Sequence, residues 1–355
     1  MGLLEDTFKP KKAIMNVCMM GPKAVGKTTV LTAVFNETQQ SIAETTLNLT
    51  AKGDTNADLI ERLRLLQSVF RKKTEITDNS SVAGQQIISA GVTASAIVSN
   101  FNFEFGHIGK ESVIDLNLKD FPGEYVVDYP DDVINFIKES QCIFVAIDTP
   151  HLMERNGEFN AIKNKPKEIT DLFKRGIHAI GSEKLVLFIP LKCEKYFHEG
   201  RMEEVLSKVE ETYKELTDML SETGKICCAV TPIQTLGDVE FDDFSYDIDG
   251  NVLLHPKDRC PENVKYKYVN DAKYTPGFCS QPLYSLLLFV AAQYRRNKDK
   301  HVGILDWIKR KLWDVFNSDD TLIEEILKMN KNRLTTNSTL GYKVLCGEDL
   351  FDHRK

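Results

Sequence analysis

The sequence has 355 residues, a formal net charge of −7 and an ordinary balance of 42% hydrophobic and 27% charged residues. This length suits one large domain or two modest ones, and the negative charge disfavours broad binding to nucleic acid. Eight cysteines are scattered without any C-x-x-C spacing, which excludes the usual zinc motifs. The sequence shows neither a signal peptide nor an apolar run long enough to cross a bilayer, so we expect a cytoplasmic protein without a membrane role.

The first predicted elements surround a glycine-rich turn near the amino terminus. An apolar strand over 13–20 is followed by residues 21–28, which read G-x-x-x-x-G-K-T, and by a helix over 28–38. This is the phosphate-binding loop in the strand–turn–helix context that confirms the motif. Its glycines let backbone N–H groups point inward at a phosphate, Lys27 reaches the β- and γ-phosphates, and the Thr28 hydroxyl ligates Mg²⁺. The residues expected to contact the nucleotide here are Gly21, Lys23, Ala24, Val25, Gly26, Lys27, Thr28 and Thr29.

A long insertion over 39–94 separates this helix from the next strands. Within it, residues 54–73 carry apolar side chains at helical spacing, which predicts an amphipathic helix, and the polar run over 74–84 predicts a loop. Strands follow over 97–105 and 112–119, each with alternating apolar residues, and 106–109 joins them as a hairpin.

Strands and helices then alternate along the chain. We predict helices over 131–138, 166–180 and 202–221, and buried strands over 142–147, 185–189 and 226–230. This order predicts an α/β fold, with an open and mostly parallel sheet, one antiparallel edge hairpin and helices on both faces.

The last part of the sequence is expected to divide into three pieces. Residues 237–281 are irregular apart from a hairpin near 264–269, and an apolar helix over 282–294 closes the α/β domain, which covers 1–299. A small helical extension over 300–355 follows, with helices over 303–316 and 321–329 and a polar tail.

A second nucleotide-binding element directly follows the strand over 112–119 and reads D-F-P-G-E. The carboxylate of Asp120, at the end of the strand beside the phosphate-loop strand, can hold Mg²⁺ through water. Gly123 lets its backbone N–H approach the γ-phosphate. D-x-x-G alone is a weak signal, but its place after this strand corroborates the phosphate-binding loop.

With both elements in place, the chain resembles the P-loop GTPases of the Ras and translation-factor type, the TRAFAC class, over about 13–294. Within that class it looks most like the double-GTPase-type branch that is common in bacteria. The runs T-P-I-Q-T-L-G over 231–237 and Q-P-L over 281–283 carry this second resemblance. The resemblance implies a GTPase domain that binds GTP or GDP with Mg²⁺ and works with a protein partner or a partner GTPase.

The same resemblance places recognition of the base after the strand over 185–189. The family has N-K-x-D there, and its Asp accepts two hydrogen bonds from guanine, whereas this chain reads L-K-C-E over 191–194. Glu194 can make the same two bonds with one more methylene, and the stem of Lys192 can stack on the base. Leu191 loses the tie that Asn makes to the phosphate loop, and a solvated charged turn is the alternative interpretation. Thr231 lies where the family's last base-contacting loop falls.

The residues expected to act in hydrolysis follow from the same resemblance. Many family members have Gln after the glycine of D-x-x-G to orient the attacking water, and Glu124 stands there in this chain. Its negative charge near the γ-phosphate predicts slow turnover, or turnover that needs a partner. Lys23 occupies a position where small regulated GTPases have Gly, and it either supplies charge to the γ-phosphate in cis or points into solvent. With Lys27, these are the candidate catalytic residues.

One more metal ligand is implied by the family, a Thr before the second strand whose hydroxyl reaches Mg²⁺. Thr93 is the best placed, and Thr46 and Thr77 are the alternatives within the insertion. The Gly- and Ser-containing approach over 80–91 fits a segment that orders around the γ-phosphate. The candidate metal ligands are therefore Thr28, Thr93 and Asp120.

We predict a Mg²⁺-dependent GTP-binding and GTP-hydrolysing molecular switch that acts through protein partners. An interaction scaffold that binds GTP with little or no hydrolysis is the first alternative, and Glu124 and Leu191 are the residues that favour it. A P-loop ATPase or small-molecule kinase is the second alternative. It is disfavoured because Lys192 and Glu194 stand where the family reads guanine.

Overall fold

The computed structural model describes residues 12–71, 86–88, 98–176, 181–298, 320–331 and 342–351. Three predicted features lie outside these residues: the loop over 74–84, the helix over 303–316 and the metal ligand Thr93. The descriptions that follow concern the described residues alone.

An eight-stranded sheet forms the centre of the fold. Its strands are β1 (Ala13–Met20), β2 (Leu47–Ala51), β4 (Ser99–His107), β5 (Ile114–Asp120), β6 (Cys142–Asp148), β7 (Lys184–Leu191), β8 (Ile226–Val230) and β11 (Lys343–Cys346). They lie in the order β11-β8-β7-β6-β1-β5-β4-β2. The five strands from β8 to β5 are parallel, β4 pairs antiparallel with both β5 and β2, and β11 pairs antiparallel with β8.

The apolar pattern of each strand matches its place in the sheet. Every residue of β6 is buried, as expected for a central parallel strand with helices on both of its faces. In β5 the buried residues alternate with half-buried ones, because successive side chains point to opposite faces of the sheet.

Helices cover both faces of this sheet. They are α1 (Lys27–Ile42), α2 (Asp54–Arg71), α3 (Tyr125–Asp128), α4 (Pro130–Glu139), α5 (Thr149–Met153), α6 (Asn160–Asn164), α7 (Pro166–Gly176), α8 (Glu194–His198), α9 (Met202–Thr212), α10 (Lys214–Glu222), α11 (Gln281–Lys298), α12 (Asp320–Lys331) and α13 (Glu348–Phe351). One core cluster joins the sheet to α1, α11 and α12, and the other joins it to α4, α7 and α10. None of the described helices combines the length and the apolar character needed to span a bilayer.

A second, three-stranded sheet is formed by β3 (Gln86–Ile88), β9 (Val239–Phe244) and β10 (Val264–Tyr268) in the order β3-β10-β9. We call it the small sheet. The prediction that 237–281 is irregular was therefore wrong for β9, while the expected hairpin near 264–269 corresponds to β10 paired with β9. The acidic residues between Val239, Phe241 and Phe244 concealed the strand, although these three apolar side chains are buried.

The predicted α/β fold is confirmed: the sheet is mostly parallel, with an antiparallel hairpin at one edge and helices on both faces. Three elements differ in detail. The insertion contributes edge strand β2, which was not predicted. The helix predicted over 202–221 is interrupted at Tyr213, where α9 ends. The extension contains the helix α12, and the tail expected to be irregular adds β11 to the central sheet.

Candidate functional site

The phosphate-binding loop lies at the carboxyl end of β1, between β1 and α1, and two glycines give it its shape. Gly21 has φ +147°, and a Cβ there would lie 2.6 Å from the carbonyl oxygen of Ala146 in β6. Gly26 has φ +103° and precedes the first residue of α1. Ala24 also adopts a positive φ, of 56°. Strain and the close approach of β6 therefore both favour glycine at position 21.

Lys27 lies inside the curve of this loop. Its ammonium donates to the carbonyl oxygens of Gly21 at 3.1 Å and Pro22 at 3.0 Å, and the residue is only 8% exposed. Burial lowers the pKa of Lys27, although the neighbouring carboxylates of Asp120 and Glu124 oppose this effect. A desolvated cation held on two carbonyl oxygens is well placed to exchange them for phosphate oxygens.

The predicted metal ligands Thr28 and Asp120 lie together. The Thr28 hydroxyl donates to Oδ2 of Asp120 at 3.1 Å. The other carboxylate oxygen, Oδ1, is buried and has no hydrogen-bond partner among the described residues. Burial raises the pKa of Asp120, against the charge of Lys27 and the bond from Thr28. A hydroxyl beside a buried, half-satisfied carboxylate fits a hard cation with oxygen ligands such as Mg²⁺.

The D-x-x-G element packs directly on the phosphate loop. A Cβ on Gly123 would lie 2.2 Å from the backbone nitrogen of Lys23 and 2.6 Å from the carbonyl carbon of Pro22. Beside this contact, Nζ of Lys23 lies 2.6 Å from Oε1 of Glu124. The Lys23 side chain is 64% exposed and pairs with Glu124, a contact that was not predicted.

This ion pair sets the charge state of both residues. The hydrogen bond to Glu124 raises the pKa of Lys23. Partial burial acts to raise the pKa of Glu124, but the bond and charge of Lys23 outweigh it and the net shift is downward. Both groups are therefore ionised at neutral pH, and each neutralises much of the other's charge.

The base-recognition segment, 191–194, begins at the carboxyl end of β7. Leu191 is the last residue of that strand, and Lys192 adopts φ +61°. The Lys192 ammonium lies 2.7 Å from Oδ2 of the fully buried Asp148 and donates to the carbonyl oxygen of Ala24 at 3.4 Å. Burial alone would lower the pKa of Lys192, but the charge of Asp148 reverses this and raises the pKa.

Glu194 begins α8 and is 3% exposed. Its carboxylate accepts a hydrogen bond from the backbone N–H of Leu236 at 3.0 Å. Burial raises the pKa of Glu194, while the N–H groups of residues 235–237 act to lower it. The structure therefore connects Glu194 with the T-P-I-Q-T-L-G run, where the buried Thr231 hydroxyl donates to Gln281 at 3.0 Å. A solvated charged turn does not describe Lys192 and Glu194.

Two further charged residues of the site were not predicted. Asp148 ends β6 and holds Lys192, much as Asp120 ends β5 and holds Thr28, so its place at a strand end was an available signal. Nζ of Lys163, in α6, donates to the carbonyl oxygen of Lys23 at 2.9 Å. The sequence around Lys163 carries no motif that could have revealed this contact.

Val25 and Thr29 are the remaining predicted residues of the loop. Val25 is buried in the core at 1% exposure, and Thr29 lies in the first turn of α1. Within the described ranges, no group of three or more His, Cys, Asp or Glu side chains is arranged to hold a metal. Among the described residues, the Thr28 hydroxyl and the Asp120 carboxylate are oxygens that a cation could use at this loop.

Comparisons with known proteins give structural likeness only. No protein-family model matches the sequence, and no curated protein matches it. Among solved structures, the chain resembles Era in complex with MgGDPNP and nucleotides 1506-1542 of 16S ribosomal RNA, with 12% identity, a TM-score of 0.29, and coverage of 80% of this chain and 67% of Era. It also resembles the Ski7 GTPase-like domain of S. cerevisiae bound to GTP, with 14% identity and a TM-score of 0.34.

That second match covers 83% of this chain but 52% of the Ski7 chain, so this protein spans about half of its length. Both likenesses are at the level of the fold. The strand order of the central sheet and the geometry of the phosphate loop carry the assignment of the site.

Proposed function

We propose that the chain is a Mg²⁺-dependent GTP-binding and GTP-hydrolysing switch of the translation-factor-related class, resembling its double-GTPase-type branch. The observation that carries the proposal is the arrangement of Lys27 on two loop carbonyls beside the Thr28–Asp120 pair, whose Oδ1 is buried without a partner among the described residues. This arrangement offers a nucleoside triphosphate a desolvated cation and oxygen ligands for its metal.

Each residue has a separate role in this proposal. Lys27 binds the β- and γ-phosphates, and the loop N–H groups hold phosphate oxygens. Thr28 and Asp120 hold Mg²⁺, which when bound neutralises charge on the phosphates. The stem of Lys192 stacks on the base, and Glu194 and the loop after Thr231 recognise guanine.

Two features favour action through a protein partner. Glu124 has no amide with which to orient water, and its charge is already committed to Lys23 at 2.6 Å. A partner that separates this pair would free Lys23 to face the γ-phosphate. We propose that the domain over 1–299 provides the switch and that its insertion and the extension over 300–355 contact such a partner, in the cytoplasm and without nucleic acid or membrane.

The same ion pair supports a second candidate function, an interaction scaffold that binds GTP with little hydrolysis. In this case Lys23 and Glu124 stay paired in the nucleotide complex, and the chain signals through GTP binding without hydrolysis. Steady-state release of phosphate from GTP by the full chain separates the two functions. Turnover that a partner accelerates supports the switch, and no turnover under any condition supports the scaffold.

Binding of labelled GTP and ATP with Mg²⁺ tests the proposal itself. Wild type should bind GTP tightly, ATP should fail to displace it, and Lys27→Ala should lose it. Lys214→Ala is the matched control, because Lys214 lies on the exposed face of α10 and pairs with Asp218. Preference for ATP, or equal binding by wild type and Lys27→Ala, would overturn the proposal.

A further inference from the structure

The small sheet lies against the elements that follow β6 and β7, and β9 makes these contacts along its length. Oε2 of Glu240 lies 2.8 Å from Nδ1 of His198 in the helix α8, and Oε1 lies 3.3 Å from Nζ of Lys267 in β10. Nζ of Lys195 lies 5.1 Å from the centre of the Phe241 ring. The Phe244 ring meets the ring of His151 at 5.3 Å. Charged and aromatic contacts therefore fix the small sheet beside the base-recognition segment.

One residue of β10 reaches the base-recognition segment itself. The centre of the Tyr266 ring lies 6.0 Å from Nζ of Lys192, so the ammonium lies over the face of an aromatic ring. The ring packs edge-on against Phe241 at 6.4 Å, which fixes its orientation. The Lys192 ammonium is thus held between Asp148 on one side and Tyr266 on the other. Two partners restrict the stem of a flexible lysine far more than one does.

The other edge of β10 pairs with the insertion. Tyr266 lies opposite Ile87 in the antiparallel pairing of β10 with β3. The neighbouring Tyr268 hydroxyl donates to the carbonyl oxygen of Val69 near the end of α2, and its ring lies 6.0 Å from Phe70. The strand β10 therefore carries both the side-chain contact to Lys192 and the backbone hydrogen bonds to β3. The strand β3 belongs to the insertion and precedes Thr93 in sequence.

We propose that Tyr266 is a positioning residue for the base site, which fixes the Lys192 stem for stacking on guanine, and that β10 thereby couples occupancy of the base site to the pairing of β3. This inference rests on the proposed function. A bound guanine immobilises Lys192, Lys192 immobilises Tyr266, and the ordered β10 backbone strengthens its bonds to residues 86–88. The proposed coupling passes through the contact of the Tyr266 ring with Lys192 and the backbone pairing of β10 with β3.

Affinities for GTP and ATP test the positioning role, because the two nucleotides share their phosphates and differ in the base. Tyr266→Leu removes the ring that lies against the Lys192 ammonium, so we expect GTP affinity to fall about threefold to tenfold while ATP affinity changes less than about twofold. The matched control is Tyr246→Leu, which removes an exposed ring of the same segment whose hydroxyl donates to Asp243 at 2.9 Å. The control should leave both affinities unchanged.

Hydrogen exchange tests the coupling. In wild type, GTP should slow exchange of the amides of residues 86–88, and Tyr266→Leu should weaken that slowing. Equal falls in GTP and ATP affinity, an unchanged ratio, or slowing that persists in the variant would overturn the inference while the proposed function stands. Wild type that does not prefer GTP would instead overturn the proposed function, and the inference with it.

Discussion

The phosphate loop and the base-recognition segment lie at the ends of β1 and β7, the two strands on either side of β6, yet they are held by different kinds of contact. Lys27 bonds to carbonyl oxygens five and six residues before it. Lys192 bonds to Asp148, 44 residues away, and lies against Tyr266 of the small sheet. The first arrangement follows from the local chain, whereas the second needs β6, β7 and the small sheet to be in place together.

The two regions also differ in whether their charged side chains already have partners within the protein. At the phosphate end, Oδ1 of Asp120 is buried and has no hydrogen-bond partner among the described residues. At the base end, Glu194 is buried and Lys192 is partly buried, and both have partners from the protein. A ligand can therefore use an acceptor without a partner at the phosphate end. At the base end it must compete with bonds that Lys192 and Glu194 already make within the protein. We expect the phosphate end to supply most of the affinity and the base end to supply selectivity.

Substitution of Asp120 should have the largest effect on binding. Asp120→Asn keeps the shape of the side chain but removes the charge that a divalent cation needs, so the gain in GTP affinity given by Mg²⁺ over EDTA should fall about a hundredfold. Asp115→Asn on the same strand is the control, because Asp115 pairs with Lys52 at 3.1 Å and lies at the other end of β5. An unchanged Mg²⁺ effect in Asp120→Asn would remove this residue from the metal site.

The second-largest effect is expected where the D-x-x-G element contacts the phosphate loop. Gly123→Ala places a methyl group 2.2 Å from the Lys23 nitrogen, so backbone must move and unfolding should become easier by about 1–3 kcal/mol. Gly181→Ala is the matched control, since none of the described residues lies within 4 Å of its added Cβ and its φ is not in the left-handed region. Urea unfolding of the three proteins measures the difference. Equal midpoints for the two variants would show that the loops separate easily.

Sequence reasoning worked where contacts are local. The phosphate loop, β1 and the position of Asp120 follow from motif spacing and apolar runs, and the structure gives β1 the predicted bounds. The mostly parallel sheet follows from alternating strands and helices. These features depend on residues that are close in the chain or on one buried strand.

Sequence reasoning failed where the partner is distant. β9 and β3 pair with β10 although they stand far apart in sequence, and neither β9 nor β3 is apolar throughout. The Lys23–Glu124 pair joins two motifs that were each interpreted alone. Asp148 and Tyr266 meet at Lys192 only once three strands are assembled, so spacing along the chain could not reveal them.

The pH dependence of stability probes the base end and should be the smallest of these effects. Burial raises the folded-state pKa of Glu194 above its ordinary value of 4.5. Its contribution to stability is therefore fully present below about pH 4 and is lost as pH rises through the raised pKa, because a buried carboxyl then ionises. Glu194→Gln does not titrate, so the stability of wild type relative to this variant should fall as pH rises.

The exposed Glu215 offers a control of opposite sign, because the bond from Lys174 lowers its pKa. The stability of wild type relative to Glu215→Gln should rise with pH, or stay level where solvent screens the pair. Urea unfolding of the three proteins between about pH 4 and about pH 7 gives both differences. A Glu194→Gln difference that does not change with pH would mean that the Glu194 carboxylate faces water, as a side chain free to bind guanine would. The base end, like the phosphate end, would then have a carboxylate oxygen that is available to a ligand.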